Sequence, residues 1–212
     1  VYSTLRVVTP PAIEPVSLTL ARQHLRLDHE SDDVLLAGYI AAARQWAEGW
    51  LGRVLITQTL RWTMAEDPPA GALPLLPMPL LVLPVILSFP QIWNRRLDLP
   101  RSPVQSVLAV TTVDQDGNST ILDPSADYSV DLSLDPGRLC LSRDTYPTYA
   151  RHVSVDFVAG YGDTGLAAPA SIIAGLLLLI GFLYENRGDA GGEMPEAAKQ
   201  LMWPHRVMYF GG

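Results

Sequence analysis

The segment Pro169–Tyr184, PASIIAGLLLLIGFLY, holds no charged residue, and it constrains the chain more than any other stretch. Pro169 suits the first turn of a helix and Gly188 suits its end. The uncharged part is then about 15 residues, or about 22 Å of helix. A bilayer core of about 30 Å asks for about 20 apolar residues, so the segment is too short to span one. Ile172, Leu176, Leu179 and Leu183 form one stripe. Ile173, Leu177, Ile180 and Tyr184 form the next, and Leu178 and Phe182 fill the remaining face. A helix apolar nearly all round is buried on nearly all sides, and in a chain of 212 residues a neighbouring subunit can supply one of those sides. Gly175 and Gly181 allow other backbone to approach closely, at about 1 kcal/mol each relative to Ala.

Composition narrows the class. With 48% hydrophobic and 17% charged residues, the chain can build one core, or one core carrying an inserted lobe, and is not disordered. Its formal net charge is -7. A protein that grips nucleic acid through its whole surface is usually basic, and the densest basic pair here is Arg95 with Arg96. Cys140 is the single cysteine. That excludes an internal disulfide and a cysteine-based zinc cluster, and points to a reducing compartment. The opening VYSTLRVVTPP lacks a basic start followed by a long apolar run, so no signal peptide is expected.

Two helices are predicted near the start. Ser17 or Thr19 caps the first, LTLARQHLRL, and DHES makes a polar turn. Ser31 caps the second, with Asp32 and Asp33 in its first turn where the dipole favours negative charge. It ends at Leu51–Gly52. Its stripes are Leu36, Ile40, Ala43, Ala47, Trp50 and, beside them, Leu35, Tyr39, Ala42, Trp46, a wide apolar face that fits a core helix. The period then changes to two. In VLITQTLRWTM, Val54, Ile56, Leu60, Trp62 and Met64 fall on one face, which reads as a half-buried strand. VLAVTTVDQDGNSTILD and YSVDLSLDPGRLCLS read as hairpins turning at DQDGN and DPGR, and VSVDFVAG as a further strand. The order helix, helix, strands, helix predicts an α+β fold: a small helical bundle with an inserted antiparallel sheet. The expected parts are 14–52 and 166–202 for the helical core, 53–162 for the β insertion, and 203–212 for a terminal tail.

Residues 65–103 carry Pro68, Pro69, Pro74, Pro77, Pro79, Pro84, Pro90, Pro100 and Pro103 among large apolar residues. Proline cannot donate to a sheet ladder, so a central strand is excluded. The stretch is either an edge strand and loop folded onto the sheet or an arm that docks on another protein. The tail MPEAAKQLMWPHRVMYFGG enters a helix at Pro195 and breaks at Pro204. Trp203, Arg206, Tyr209 and Phe210 are of the types that anchor interfaces. The tail either folds back onto its own core or meets a partner.

Catalytic patterns are missing. His24, His29, His152 and His205 show no H-x-x-x-H spacing, and there is no nucleophile elbow, phosphate loop or dinucleotide fingerprint. DQDGNST starts like a calcium loop, but the glycine is misplaced and Ser125 stands where a bidentate Glu is required. RGD at Arg187–Asp189 reads as a helix end. No metal site and no cofactor are expected. Two other readings stay open: a hydrolase-type enzyme whose carboxylate pair folding brings together, and a peripheral membrane protein using the Pro-rich arm and the apolar helix.

Several stretches taken in order, VSLTLARQHLRLDHESDDVLLAGYIAAARQWAEGWLGRVLITQT, LPRSPVQSV, DPGRL, FVAGYG and YENR, resemble the head–tail connector (adaptor) proteins of tailed bacteriophages and gene transfer agents. The resemblance runs from about Val16 to Arg187, apart from 65–98, where this chain is longer than typical members. It implies a structural, non-enzymatic protein of the virion neck, made in the bacterial cytoplasm. Such adaptors form a ring, usually of twelve copies, under the portal protein. They join it to the next neck or tail component, a stopper or tail terminator, and DNA passes through as cargo. The family's tail commonly reaches the portal, a role that would fall here on Trp203, Pro204, His205, Arg206, Tyr209 and Phe210. The apolar helix would sit between helix two and the sheet. Glu185 and Arg187 would pair within the subunit or across the ring. No membrane partner is implied.

Overall fold

The computed structural model describes residues 2–65, 96–114, 116–142, 152–187 and 194–208. The elements in chain order are β1 (Tyr2–Thr9), α1 (Leu18–Leu25), α2 (Asp33–Leu51), β2 (Gln58–Ala65), β3 (Arg96–Asp98), β4 (Val104–Val113), β5 (Ser119–Ile121), β6 (Tyr128–Asp131), β7 (Arg138–Leu141), β8 (His152–Ala159), α3 (Ala170–Glu185) and α4 (Glu196–Met202). The fold mixes helices with antiparallel sheet, and among the described residues no helix is long and apolar enough to cross a membrane. The Pro-rich stretch between β2 and β3 lies for the most part outside the described residues.

Local chemistry sets the helix ends. Ser17 Oγ accepts from the Leu20 N–H at 3.2 Å and starts α1, and Arg26, in the left-handed region, ends it. Gly52 ends α2 with φ 71°. The start of α2 differs from expectation. The cap position is Asp32, not Ser31. Ser31 Oγ bonds His29 Nδ1 at 2.7 Å, and the Asp32 carboxylate is taken by α3, so neither side chain caps the helix.

Two sheets form where one was expected. Among the described residues, five antiparallel strands lie in the order β1-β2-β8-β4-β5, and β3-β7-β6 form a separate sheet of three. The larger sheet is not purely an insertion after the second helix, because β1 precedes both helices and pairs with β2. An edge strand exposed at nearly every position has no burial alternation to show in its sequence. The strand β2 also starts later than its period suggested. Val54, Leu55 and Ile56 are all buried. The chain there crosses between two cores, Val54 joining the sheet cluster and Leu55 the helical one. A segment covered on both sides loses the period of two.

The helical cluster gathers Leu36, Ile40 and Leu51 of α2, Ile172, Leu176 and Ile180 of α3, and Met202 of α4. The main neighbours of α3 are α4 and α2, with α1 next, rather than α2 and the sheet. Its Ile172, Leu176, Leu179 and Ile180 are buried, while Ile173, Leu177, Leu178, Phe182 and Leu183 are half-buried. Gly175 is where α4 comes close: an added Cβ would lie 2.8 Å from Met202 Cγ and 3.2 Å from the Ala198 carbonyl oxygen. Gly181 has no such neighbour; a Cβ there would meet His24 and Leu25 at an ordinary 3.7 Å.

Polar chemistry joins the two cores. Arg44 Nε donates to Glu14 Oε2 at 2.7 Å, and Arg44 Nη1 donates to Glu48 Oε2 at 3.1 Å. The other Glu48 oxygen accepts the Leu55 N–H at 2.9 Å and Gln58 Nε2 at 3.4 Å. One carboxylate thus ties the end of α2 to the start of β2. Burial pushes the Glu48 carboxyl above the usual carboxylate range, against the pull of the Leu55 N–H and of Arg44. The second joint is Gly160, at the end of β8, where φ is 139° and a Cβ would lie 2.5 Å from the Thr57 nitrogen.

Candidate interaction surfaces

After α4 a short 3-10 turn, Trp203–His205, carries Pro204 and reverses the chain. The tail then folds back onto the end of α2. The Val207 N–H donates to the Leu51 carbonyl at 2.8 Å, and Arg53 Nε donates to the His205 carbonyl. His205 Nε2 and Ser171 Oγ share a hydrogen bond of 2.8 Å, which holds the turn against the start of α3. The Arg206 guanidinium lies over Trp50 at 4.9 Å and over Trp203 at 5.5 Å. Trp50 in turn meets Trp203 and stacks on Trp46, each at 6.0 Å between ring centres.

The fold therefore brings Trp203, Pro204, His205 and Arg206 together, and adds two residues that sequence reasoning placed in the interior. Trp203 is 52% exposed and Trp46 is 39% exposed. The second stripe of α2, with Leu35 and Ala42 beside Trp46, lies on the surface rather than in the core. The i,i+4 spacing of Trp46 and Trp50 was its one sequence signal. A groove of about 340 Å³ opens beside it, lined by Trp50, Glu196, Lys199, Gln200, Trp203 and Arg206. Flat aromatic rings with a stacked guanidinium and no buried reactive group suit contact with another protein. Tyr209 and Phe210 lie outside the described residues.

The YENR stretch forms a clasp. Tyr184 Oη donates to Asp32 Oδ2 at 2.5 Å, and Arg187 Nη2 donates to the same oxygen at 2.8 Å. The Arg187 guanidinium also lies 4.2 Å from the centre of the Tyr184 ring. The end of α3 is thereby fastened to the turn before α2. The Tyr184 hydroxyl and the Arg187 guanidinium hold the Asp32 carboxyl below its ordinary range. Arg187 pairs inside the protomer, while Glu185 is exposed and makes no ion pair among the described residues.

The other candidates are accounted for by local structure. The Asn118 N–H and Nδ2 donate to the two Asp114 oxygens at 2.8 and 3.0 Å, so that carboxylate closes the hairpin turn. Among the described residues no three His, Cys, Asp or Glu side chains are placed to hold a metal ion. Gly188 and Asp189 of the RGD run lie outside the described residues. A cavity of about 410 Å³ lies between α2, β1 and β2, and the one carboxylate among the described residues of its lining, Glu48, is engaged by Arg44 and Leu55.

These features define a protein of mixed helix and antiparallel sheet with exposed aromatic rings where the tail meets α2. Residues 15–84 match the family model of the phage gp6-like head–tail connector protein. Over its full length the chain is similar in fold to three solved chains. One is from the neck of an empty gene transfer agent (GTA) particle computed with C6 symmetry; it is 26% identical, with a TM-score of 0.71, and covers 99% of this chain and 98% of that one. A second is from the virion of a native GTA particle, 23% identical, with a TM-score of 0.71 and coverage of 98% of each chain. A third is from the neck of a native GTA particle computed with C12 symmetry, 24% identical, with a TM-score of 0.67 and coverage of 99% and 98%. No curated protein matches the chain. The resemblance to head–tail connectors read from the sequence is thus repeated by the family match over α1, α2 and β2 and by the fold of the whole chain.

Proposed function

We infer that this chain is a structural head–tail connector of a phage or phage-like particle, located in the particle neck, and is not an enzyme. The observation that carries the reading is the full-length likeness to a chain of a GTA particle neck. Copies repeated about a cyclic axis close into a ring through one heterologous interface, and the neck structures similar to this chain were computed with C6 and C12 symmetry. In this reading twelve copies form the ring, and the portal protein lies on one side and a stopper or tail terminator on the other.

The parts then take roles. Residues 14–52 and 166–202 make the bundle, with the apolar helix at its centre. Residues 53–162, joined by β1, make the β part and carry the Pro-rich arm 65–103. The tail 203–212, with Trp203, Pro204, His205, Arg206, Tyr209 and Phe210, docks on the portal. The exposed aromatic rings at Trp46 and Trp203 support a docking surface at this end. Glu185 is the charge at the end of α3 left for a neighbouring subunit. The net charge of -7 suits a conduit, since an acidic wall lets a polyanion slide without holding it.

The test is binding of the purified chain to its portal, with and without residues 203–212. The full chain is expected to bind and the shortened one to lose most of its affinity. Equal binding by both removes the tail assignment, and no binding by either removes the connector reading.

A further inference from the structure

The five-stranded sheet ends in two open edges. Among the described residues, β1 pairs only with β2 on one side and β5 pairs only with β4 on the other. Exposed edges are normally blunted by proline, by inward charge, by bulges or by shortness, because their free N–H and C=O groups invite another strand. Of these devices the edge at β1 carries one charge, Arg6, and a register shift confined to its end, between Val7 and Thr9. It is 8 residues long, has no proline, and is in regular register from Tyr2 to Val7. Tyr2, Val7 and Val8 are 68%, 55% and 51% exposed. At the far edge Ile121 is 74% exposed.

The two edges also differ in charge. Within Tyr2–Thr9 the one charged residue is Arg6. It stands directly opposite Arg61, whose guanidinium is already paired with Asp156 at 2.6 Å, and Arg6 itself has no ion pair among the described residues. Like charges facing each other across strands repel, so this edge favours an acidic partner. Around β5 the charges are Asp114, Asp116, Asp123 and Asp127, with no Lys or Arg from 113 to 127. The register places both edges on one row: Thr4 pairs with Thr63, Thr63 with Ser154, Ser154 with Thr111, and Thr111 with Ile121. Ile121 and Thr4 therefore point from the same face.

We propose that in the ring the β1 edge of each copy receives the β5 edge of the next copy, so that the sheets continue from subunit to subunit. Two different edges of one sheet, complementary in charge, form a heterologous contact, the kind that closes a ring. Main-chain bonds provide the join, as in strand addition generally. The inference rests on the ring reading above and names its interface.

Cysteine pairs test it in assembled particles. In a Cys140→Ser background, Ile121→Cys is combined in turn with Thr4→Cys, Arg6→Cys or Val8→Cys. Within one protomer the two edges are four strand spacings apart, about 19 Å, too far for a disulfide, which needs Cα atoms within about 7 Å. All these positions are at exposed edges, so the fold tolerates the changes. After mild oxidation of particles whose necks contain the chain, at least one pair is expected to give a ladder of dimers, trimers and higher species in a denaturing gel. Each single cysteine is expected to leave the chain monomeric. No ladder from any pair in intact rings overturns the proposal, as do dimers from Thr4→Cys alone, which would mean that β1 meets its own kind. Particles that assemble without the chain in their necks overturn the connector reading itself, and this interface with it.

Discussion

Replacing Gly160 with Ala tests whether the joint between the two cores is as close as the structure shows. The added Cβ would lie 2.5 Å from the Thr57 nitrogen, 2.7 Å from the Ile56 carbonyl carbon and 2.7 Å from the Thr57 Cα. All three are backbone atoms, so no side chain can swing aside, and the closest is about 1 Å inside normal contact. The residue also has φ 139°, a region that L residues rarely enter, at about 1–3 kcal/mol. Overpacking adds about 1–3 kcal/mol. The sum, about 2–6 kcal/mol, is a large part of the 5–15 kcal/mol that roughly bounds a domain's stability. Two controls separate the causes. Gly117 has φ 89° but open space around a Cβ, so Gly117→Ala carries only the backbone cost. Gly49 lies within α2 with open space as well, so Gly49→Ala should stabilise by about 0.5–1 kcal/mol. Urea unfolding of the full chain, followed by tryptophan fluorescence, gives the order of midpoints: Gly160→Ala lowest, Gly117→Ala next, Gly49→Ala above the parent. A Gly160→Ala midpoint equal to that of Gly117→Ala would refute the close approach of β8 to Thr57.

Glu48→Ala is expected to lower stability by about 2–3 kcal/mol, because it leaves the Leu55 N–H and one side of Arg44 without a partner in a buried site; thermal melts check this, and Glu48→Gln, which can still accept from Leu55, should cost less. Acid should destabilise the fold through aspartates whose folded pKa values are depressed. Asp32, Asp114, Asp123 and Asp131 all lie below their ordinary 3.8, each through hydrogen bonds to the charged form. Their contribution is present above pH 3.8 and is lost as pH falls through the depressed values. Glu48, raised by burial, has the opposite sign and favours the folded state at low pH. Melting temperatures measured downward from about pH 5 should fall, and Asp32→Asn should flatten the fall; an unchanged slope in that variant would show that the clasp with Tyr184 and Arg187 is not formed in solution.

The readable parts of this chain were those in which neighbours in sequence decide the outcome. Ser17 caps α1 because its hydroxyl reaches a backbone N–H three residues on, and Gly52 ends α2 because the left-handed turn is open to it. The hairpins joining β4 to β5 and β6 to β7 were legible from their turn residues. Asp114 and Asn118 show why: each needs only the other, four residues away. The candidate site was legible in one respect, that Trp203 and Arg206 are interface-type residues. Their partners Trp46 and Trp50 were not, because an apolar stripe reads the same whether the fold covers it or leaves it bare.

Taken alone, the sequence determined the element types, the acidic character of the chain, the absence of an internal disulfide, and the resemblance carried by its motifs in order. Tertiary structure decided which elements meet. It split the strands into two sheets, recruited Tyr2–Thr9 to the larger one, set α3 against α4 rather than against strands, and turned the tail back onto Leu51. The physical reason is that capping and turn formation are governed by hydrogen bonds a few residues long, whose geometry the residue types specify. Burial and strand pairing depend instead on surfaces far apart in the chain, and periodicity measures only how apolar a face is, not what comes to cover it.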